Sequence, residues 1–328
     1  MRTHVLSLGP ILGALGTWLL LGCTPLPSET QAPQPTLTAT PTFTPSPSPT
    51  AAASPTPQPL ARIAFGSNRS GVHDIYVMNE DGTGLTQVTD APGFDGYPQW
   101  SPDGTKLAFQ TVLGGEPEVV HMDLDSGEIV VLSPGSGFVD VPSWSSDGSQ
   151  LVYYEGDQDW EIVRVDADGS NRVNLTNHPA RDAFPNWSHQ GDKIVFYSDR
   201  DGDWEIYVMD ADGADVQRLT FSPGFDGYGS FTPDGTEILF HSHRLSGEEG
   251  GGDIFIMDVD GSNQRPLIVG PGEDTDPCVC ATGDRFVFSS NRDGDFEIFI
   301  ANIDGSGVIQ LTDNSARDIE PDCWEPGL

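Results

Sequence analysis

Between Ala61 and Trp324 the apolar residues fall into short runs that return at a fixed spacing. Asp182–Thr220 displays one full period. Ala183–Ser188 carries Phe184 and Trp187, Lys193–Ser198 reads Lys-Ile-Val-Phe-Tyr-Ser, Trp204–Met209 reads Trp-Glu-Ile-Tyr-Val-Met, and Val216–Thr220 ends the unit. Gln190-Gly191, Asp199–Asp203 and Asp210–Gly213 separate the runs. Aromatic and β-branched runs bounded by such turns predict antiparallel strands joined by hairpins, because glycine accepts positive φ cheaply. Each period therefore predicts four short strands. The middle strands, such as Ile75–Met78, Ile206–Met209 and Ile254–Met257, are apolar on both faces. A sheet covered on both sides needs that pattern. No helical periodicity of useful length appears in Ala61–Leu328.

The period is carried by one phrase, an aspartate followed by Pro-x-Trp-Ser-x-Asp-Gly. Its copies are Asp95–Gly104, Val139–Gly148, Asp182–Gly191, Asp226–Gly235, Asp274–Gly283 and a truncated Asp318–Trp324. The tryptophan positions are Trp100, Trp144, Trp187, Phe231, Val279 and Cys323, at steps of 44, 43, 44, 48 and 44 residues. The insertion Gly247–Gly252 accounts for the longest step. Four-stranded units stacked around an axis cover both faces of each sheet, so the expected fold is an all-β, six-bladed β-propeller. Arg62–Thr89 supplies only the last three strands of a unit and Asp318–Trp324 only the first. The C-terminal strand is thus expected to complete the first blade and close the ring, leaving no open sheet edge.

Pro98–Gly104, the Ser-x-Arg turns at Ser67–Arg69, Ser198–Arg200 and Ser290–Arg292, and the Ile-Tyr-Val-Met strand resemble the TolB-type β-propeller repeat. The resemblance covers essentially all of Ala61–Trp324. It implies that the Pro-Trp-Ser strand is the innermost of each blade. The repeat also occurs in peptidase accessory domains, lyases and surface lipoproteins, so it points to a fold more than to a task. The helical N-terminal domain of TolB is replaced here by a Pro/Thr spacer.

Composition divides the chain into three parts. Residues 1–22 open with Arg2 and run apolar through Leu21-Gly22 to Cys23, which is a secretory signal. They resemble the lipobox of bacterial lipoproteins, which implies cleavage before Cys23 and a diacylglycerol on its sulfur. An uncleaved anchor is the alternative, although the stretch is shorter than a usual span. Residues 23–60 form the lipidated cysteine and a Pro/Thr/Ser-rich spacer, too poor in apolar side chains to pack. Residues 61–328 hold the propeller. The protein has 328 residues, a formal net charge of −35 at pH 7 and two lysines, Lys106 and Lys193. Such a surface repels nucleic acid and attracts cations and basic proteins.

The aspartates that open the repeats, Asp95, Asp182, Asp226, Asp274 and Asp318, with Asp140 beside Val139, form a candidate ring at a mouth of the axial channel. Like charges so placed call for a metal ion or a cationic partner. The alternative is that each aspartate bonds its own turn or a repeat arginine such as Arg69, Arg200 or Arg292. Acidic residues alternate in Asp199–Glu205 and Asp293–Glu297, which raises calcium or another divalent cation, but neither stretch fills an EF-hand loop. A solvated hairpin turn is the alternative. His241 and His243 share a strand face and could begin a transition-metal site, with no third ligand evident. Cys278 and Cys280 lie near Cys323 across the closing seam, so Cys323 is expected to bond one of them. There is no Gly-x-Ser-x-Gly elbow and no Gly-rich phosphate loop.

The reading is a non-enzymatic, membrane-tethered, extracytoplasmic lipoprotein. It acts as a monomer that binds a protein or peptide, a basic one, through an acidic face or channel. A metal-dependent polysaccharide lyase or hydrolase using His241, His243 and channel carboxylates is one rival. A structural envelope lipoprotein is the other.

Overall fold

The computed structural model describes residues 61–135, 137–245 and 251–326, apart from the Leu113 side chain. The signal segment, Cys23 and the spacer lie outside these residues. The described residues form six four-stranded antiparallel sheets and no helix. Blades 2 to 6 each run in chain order from an innermost strand: Asp95–Trp100, Val139–Trp144, Asp182–Trp187, Asp226–Phe231 and Asp274–Val279. Blade 1 is composite. Asp318–Trp324 is its innermost strand, and Arg62–Ser67, Asp74–Asn79 and Thr86–Gln87 follow. Ile63 pairs with Cys323 and Ser67 with Asp318. Asp318–Trp324 also lies against the innermost strands of blades 2 and 6, so the ring closes as expected.

The hairpin signals translate into turns directly. Gly104, Gly148, Gly191, Gly235 and Gly283 all sit at φ between 68° and 79°, where a side chain would be strained. The middle strands are buried on both faces, as in Lys193–Ser198 and Glu205–Asp210. A hydroxyl at the end of each of five repeats accepts the N–H of the third strand, for example Thr220 Oγ1 from Ile206 at 2.8 Å and Thr312 Oγ1 from Ile298 at 2.9 Å. Thr89, Ser133 and Thr176 do the same. This satisfies a strand donor that the outer strand, two or three residues long in these blades, is too short to reach.

The core lies between the blades. Trp187, Tyr207 and Met209 of blade 4 share one apolar cluster with Val152 and Tyr154 of blade 3 and Phe231 and Phe240 of blade 5. Burying each such side chain contributes about 1.5–3 kcal/mol, so neighbouring blades hold one another. Cys280 is bonded to Cys323, with Cα atoms 5.1 Å apart, and the bond joins blade 6 to the closing strand of blade 1.

Candidate functional site

Every innermost strand is bulged at the same place. Register breaks between Gly96 and Gln99, Asp140 and Ser143, Ala183 and Asn186, Gly227 and Ser230, and Thr275 and Cys278. The residue inside each bulge takes a left-handed conformation: Tyr97 (φ 52°), Val141 (47°), Phe184 (52°), Tyr228 (54°), Asp276 (51°) and, in the closing strand, Glu320 (60°). Such backbone costs a bulky residue roughly 1–3 kcal/mol and persists only where the fold demands it. A bulge re-aims a side chain. Here all six line one axial cavity of about 100 Å³.

This ring is two-sided. Blades 2, 4 and 5 supply aromatics. Tyr97 meets Phe184 edge-on at 5.5 Å between centroids, and Phe184 meets Tyr228 edge-on at 4.7 Å. Blades 6 and 1, which are neighbours, supply Asp276 and Glu320. Burial pushes the Glu320 carboxyl well above the usual range, although it accepts the Tyr97 N–H at 2.8 Å. Burial also lifts Asp276 to about 6. Asp140, one residue before Val141, accepts the Val141 N–H and the Tyr154 hydroxyl, and burial lifts it to about 7. Two carboxyls that gain by meeting a cation, Asp276 and Glu320, therefore face an apolar aromatic arc across the cavity, with Asp140 buried behind Val141.

Below this ring lies a stitched one. Gln99 accepts the Trp144 N–H, Ser143 the Trp187 N–H, Ser230 the Val279 N–H and Asp322 the Trp100 N–H, each across to the next blade. Asp322 also takes the Cys278 thiol at 3.0 Å, and burial lifts its carboxyl to about 6. A second cavity of about 410 Å³ opens beyond, between Trp100, Trp144, Trp187 and Trp324.

The six candidate aspartates do not line either cavity. Asp182, Asp226, Asp274 and Asp318 are buried and bound by Arg200, Arg244, Arg292 and Arg69 at 2.8, 2.6, 2.7 and 2.5 Å. Each arginine is braced by the serine of its own Ser-x-Arg turn and lies over two aromatic rings, as Arg200 does on Ser198, Phe196 and Tyr207. The alternative of a repeat arginine as partner is thus the observed arrangement, and Arg244 extends it to blade 5. Blades 2 and 3 lack the arginine. Asp95 turns to the hydroxyls of Thr111 and Thr89. In blade 3 Val139 replaces the aspartate, and its strand partner Glu155 meets Arg172. The channel position lies two residues further on, before a proline in five copies. That recurring aromatic or acid before proline is the signal that would have located it.

The acidic hairpin at Asp199–Glu205 is taken up by protein partners: Asp199 meets Arg181 at 2.7 Å, Asp201 the Tyr207 hydroxyl at 2.5 Å, and Glu205 meets Arg218 at 2.6 Å, with Arg218 also 3.5 Å from Asp201. His241 and His243 stand together, ring centroids 4.8 Å apart, and Tyr228 stacks on His241 at 5.6 Å. Burial holds His241 neutral, lowering it to about 3. Glu273, from the loop before the innermost strand of blade 6, joins them. No sequence pattern pointed to it. Of the two cysteines open to Cys323, the structure uses Cys280, and Cys278 keeps its thiol.

The model of the TolB β-propeller domain family matches residues 40–179 and 141–248. A TolB homologue of Chlorobium luteolum is 31% identical over 143 residues, which are 43% of this chain and 32% of that protein. A second, from Chlorobium chlorochromatii, is 31% identical over 141 residues. The chain therefore spans about a third of the length of the curated relatives it matches. Among solved structures, TolB from Acinetobacter baumannii superposes with a TM-score of 0.68 at 23% identity, covering 81% of this chain and 67% of that one. An oligogalacturonate lyase in complex with manganese superposes with a TM-score of 0.55 at 14% identity, covering 77% and 74%. At those identities both share the fold alone.

Proposed function

The chain belongs to the TolB β-propeller domain family, and from that premise we propose that it is a non-enzymatic protein- or peptide-binding module that receives a cationic group of its partner at the axial mouth. The observation that carries the reading is the two-sided ring. Asp276 and Glu320 present carboxyls from adjacent blades that a bound cation would ionise, and Tyr97, Phe184 and Tyr228 present ring faces and edges beside them. A lysine, an arginine or a terminal amine satisfies both sides at once, through ion pairing and through cation–π contact. A cavity of about 100 Å³ admits one such group and its stem rather than a whole chain. The rest of a peptide then lies across the acidic rim, and a net charge of −35 draws a basic partner toward it.

The protein works outside the cytoplasm, tethered through a lipid on Cys23, with residues 23–60 as the spacer that lifts the propeller from the membrane. The Cys280–Cys323 bond is in keeping with an oxidising compartment. Calorimetric titration with a short peptide bearing a free N-terminus and two arginines tests the binding role. The expected result is one-to-one binding that weakens with added salt, and that falls at least about tenfold in Glu320→Gln. Equal affinity for an acetylated, arginine-free peptide, or full affinity in Glu320→Gln, would overturn the reading.

A further inference from the structure

We propose that His241, His243 and Glu273 form a site for one divalent transition-metal ion, of the kind zinc represents, at the seam between blades 5 and 6. The donor atoms come from separate places. His241 is the fifth residue of the strand Glu237–Ser242, and His243 follows it, anchored by its N–H to the Phe225 carbonyl at 2.9 Å. Glu273 precedes the innermost strand of blade 6, and its N–H is held by the Asn291 side chain at 2.7 Å. One donor atom from each residue lies within 4.8 Å of the others. An ion about 2.1 Å from each donor spans up to about 4 Å between them, so less than about 1 Å of side-chain movement closes the set. Two imidazoles and one carboxylate suit a borderline ion such as zinc better than calcium or magnesium, which favour all-oxygen shells.

His241 is built as a ligand is built. It is 1% exposed. Its Nδ1 lies 2.9 Å from the Thr275 hydroxyl, and that hydroxyl lies 3.4 Å from an Asp276 carboxylate oxygen. A carboxylate–hydroxyl–imidazole chain of this kind fixes a ring's orientation and tautomer. Its Nε2 is buried and has no hydrogen-bond partner among the described residues. A buried ring nitrogen left so is destabilising, and a partner yet to be bound accounts for its retention. Gly252 makes room for the ring, since a Cβ there would fall 1.6 Å from Nε2. His243 and Glu273 are half-buried.

The full chain, stripped with chelator and kept without reductant so that Cys280 and Cys323 stay bonded, is titrated with zinc alone by calorimetry. Cobalt supplies a visible ligand-field band as a second reading. One equivalent of zinc should bind, and His243→Ala and Glu273→Gln should each weaken it at least about tenfold while leaving metal-free thermal unfolding in place. Thr275→Val changes none of the three ligands and should weaken it about tenfold through the orientation of His241, whose Nδ1 it no longer bonds. Failure of the wild type to take up one equivalent, or uptake that both half-buried ligand variants leave unchanged, overturns the site. Loss in His243→Ala but not in Glu273→Gln removes the carboxylate from it.

Discussion

Two layers of this propeller sit two residues apart along the same strands and behave oppositely. The first is the clamp, an aspartate at the head of the innermost strand bound by the arginine of its own blade's Ser-x-Arg turn. Four blades repeat it almost atom for atom. The second is the bulge position, where all six blades repeat the backbone and none of the chemistry is uniform: Glu320, Tyr97, Val141, Phe184, Tyr228 and Asp276. A buried ion pair tolerates little change, because losing one partner strands the other charge. A side chain aimed at open space is under no such constraint. Repetition thus marks what holds this molecule together, and departure from repetition, on an unchanged backbone, marks where it meets something else.

That contrast can be broken by experiment. The largest effect belongs to the seam. Cys323→Ser frees a 43-residue loop and should cost about 4 kcal/mol in denaturant unfolding under non-reducing conditions, with reduced wild type matching the variant. An unchanged midpoint would mean that strand pairing and Arg69–Asp318 close the ring unaided. Next comes the clamp. Arg200→Met leaves Asp182 buried without its counter-charge and should cost about 3 kcal/mol, while peptide affinity stays within about twofold. A clamp variant that binds poorly yet unfolds normally would erase the distinction between the layers.

The pH dependence follows in size. Asp140 at about 7 and Asp322 at about 6 sit above their ordinary range because burial disfavours their charged forms. A group raised in the folded state stabilises fully below its unfolded value near 4, and that stability is lost as pH rises through 6 to 7. The midpoint of thermal unfolding should therefore be a few degrees higher at pH 5 than at pH 8, and Asp140→Asn should shrink the difference. A midpoint that rises toward pH 8 would contradict it. The smallest effect on stability belongs to the ring itself. Tyr97→Phe removes one hydroxyl from the cavity wall and should shift unfolding by no more than about 0.5 kcal/mol by the same denaturant assay. A loss above about 2 kcal/mol would make Tyr97 part of the scaffold.

Much of this was legible beforehand in particular residues. The turn glycines, the doubly apolar Ile-Tyr-Val-Met strands and the split unit at Arg62–Thr89 and Asp318–Trp324 foretold six blades and their closure. The candidate site was half legible. The clamp aspartates were visible as a repeat, but their proposed place at the channel mouth was corrected by Arg69, Arg200, Arg244 and Arg292, which hold them inside the blades. The bulge moved the axial position to Tyr97 and its equivalents. Glu273 was not legible, since it stands 30 residues from His243 in a loop of another blade.

By itself the chain determined blade number, strand order and the pairing of head with tail, because hairpin turns and apolar runs act over a few residues and a copied unit copies its neighbour's contacts. Only the tertiary structure decided which side chains meet on the axis, which cysteine takes Cys323, and which acid joins the two histidines. Facing direction in a strand alternates with every residue, so a single bulge reverses it, and groups far apart in sequence come together only when the circle is complete.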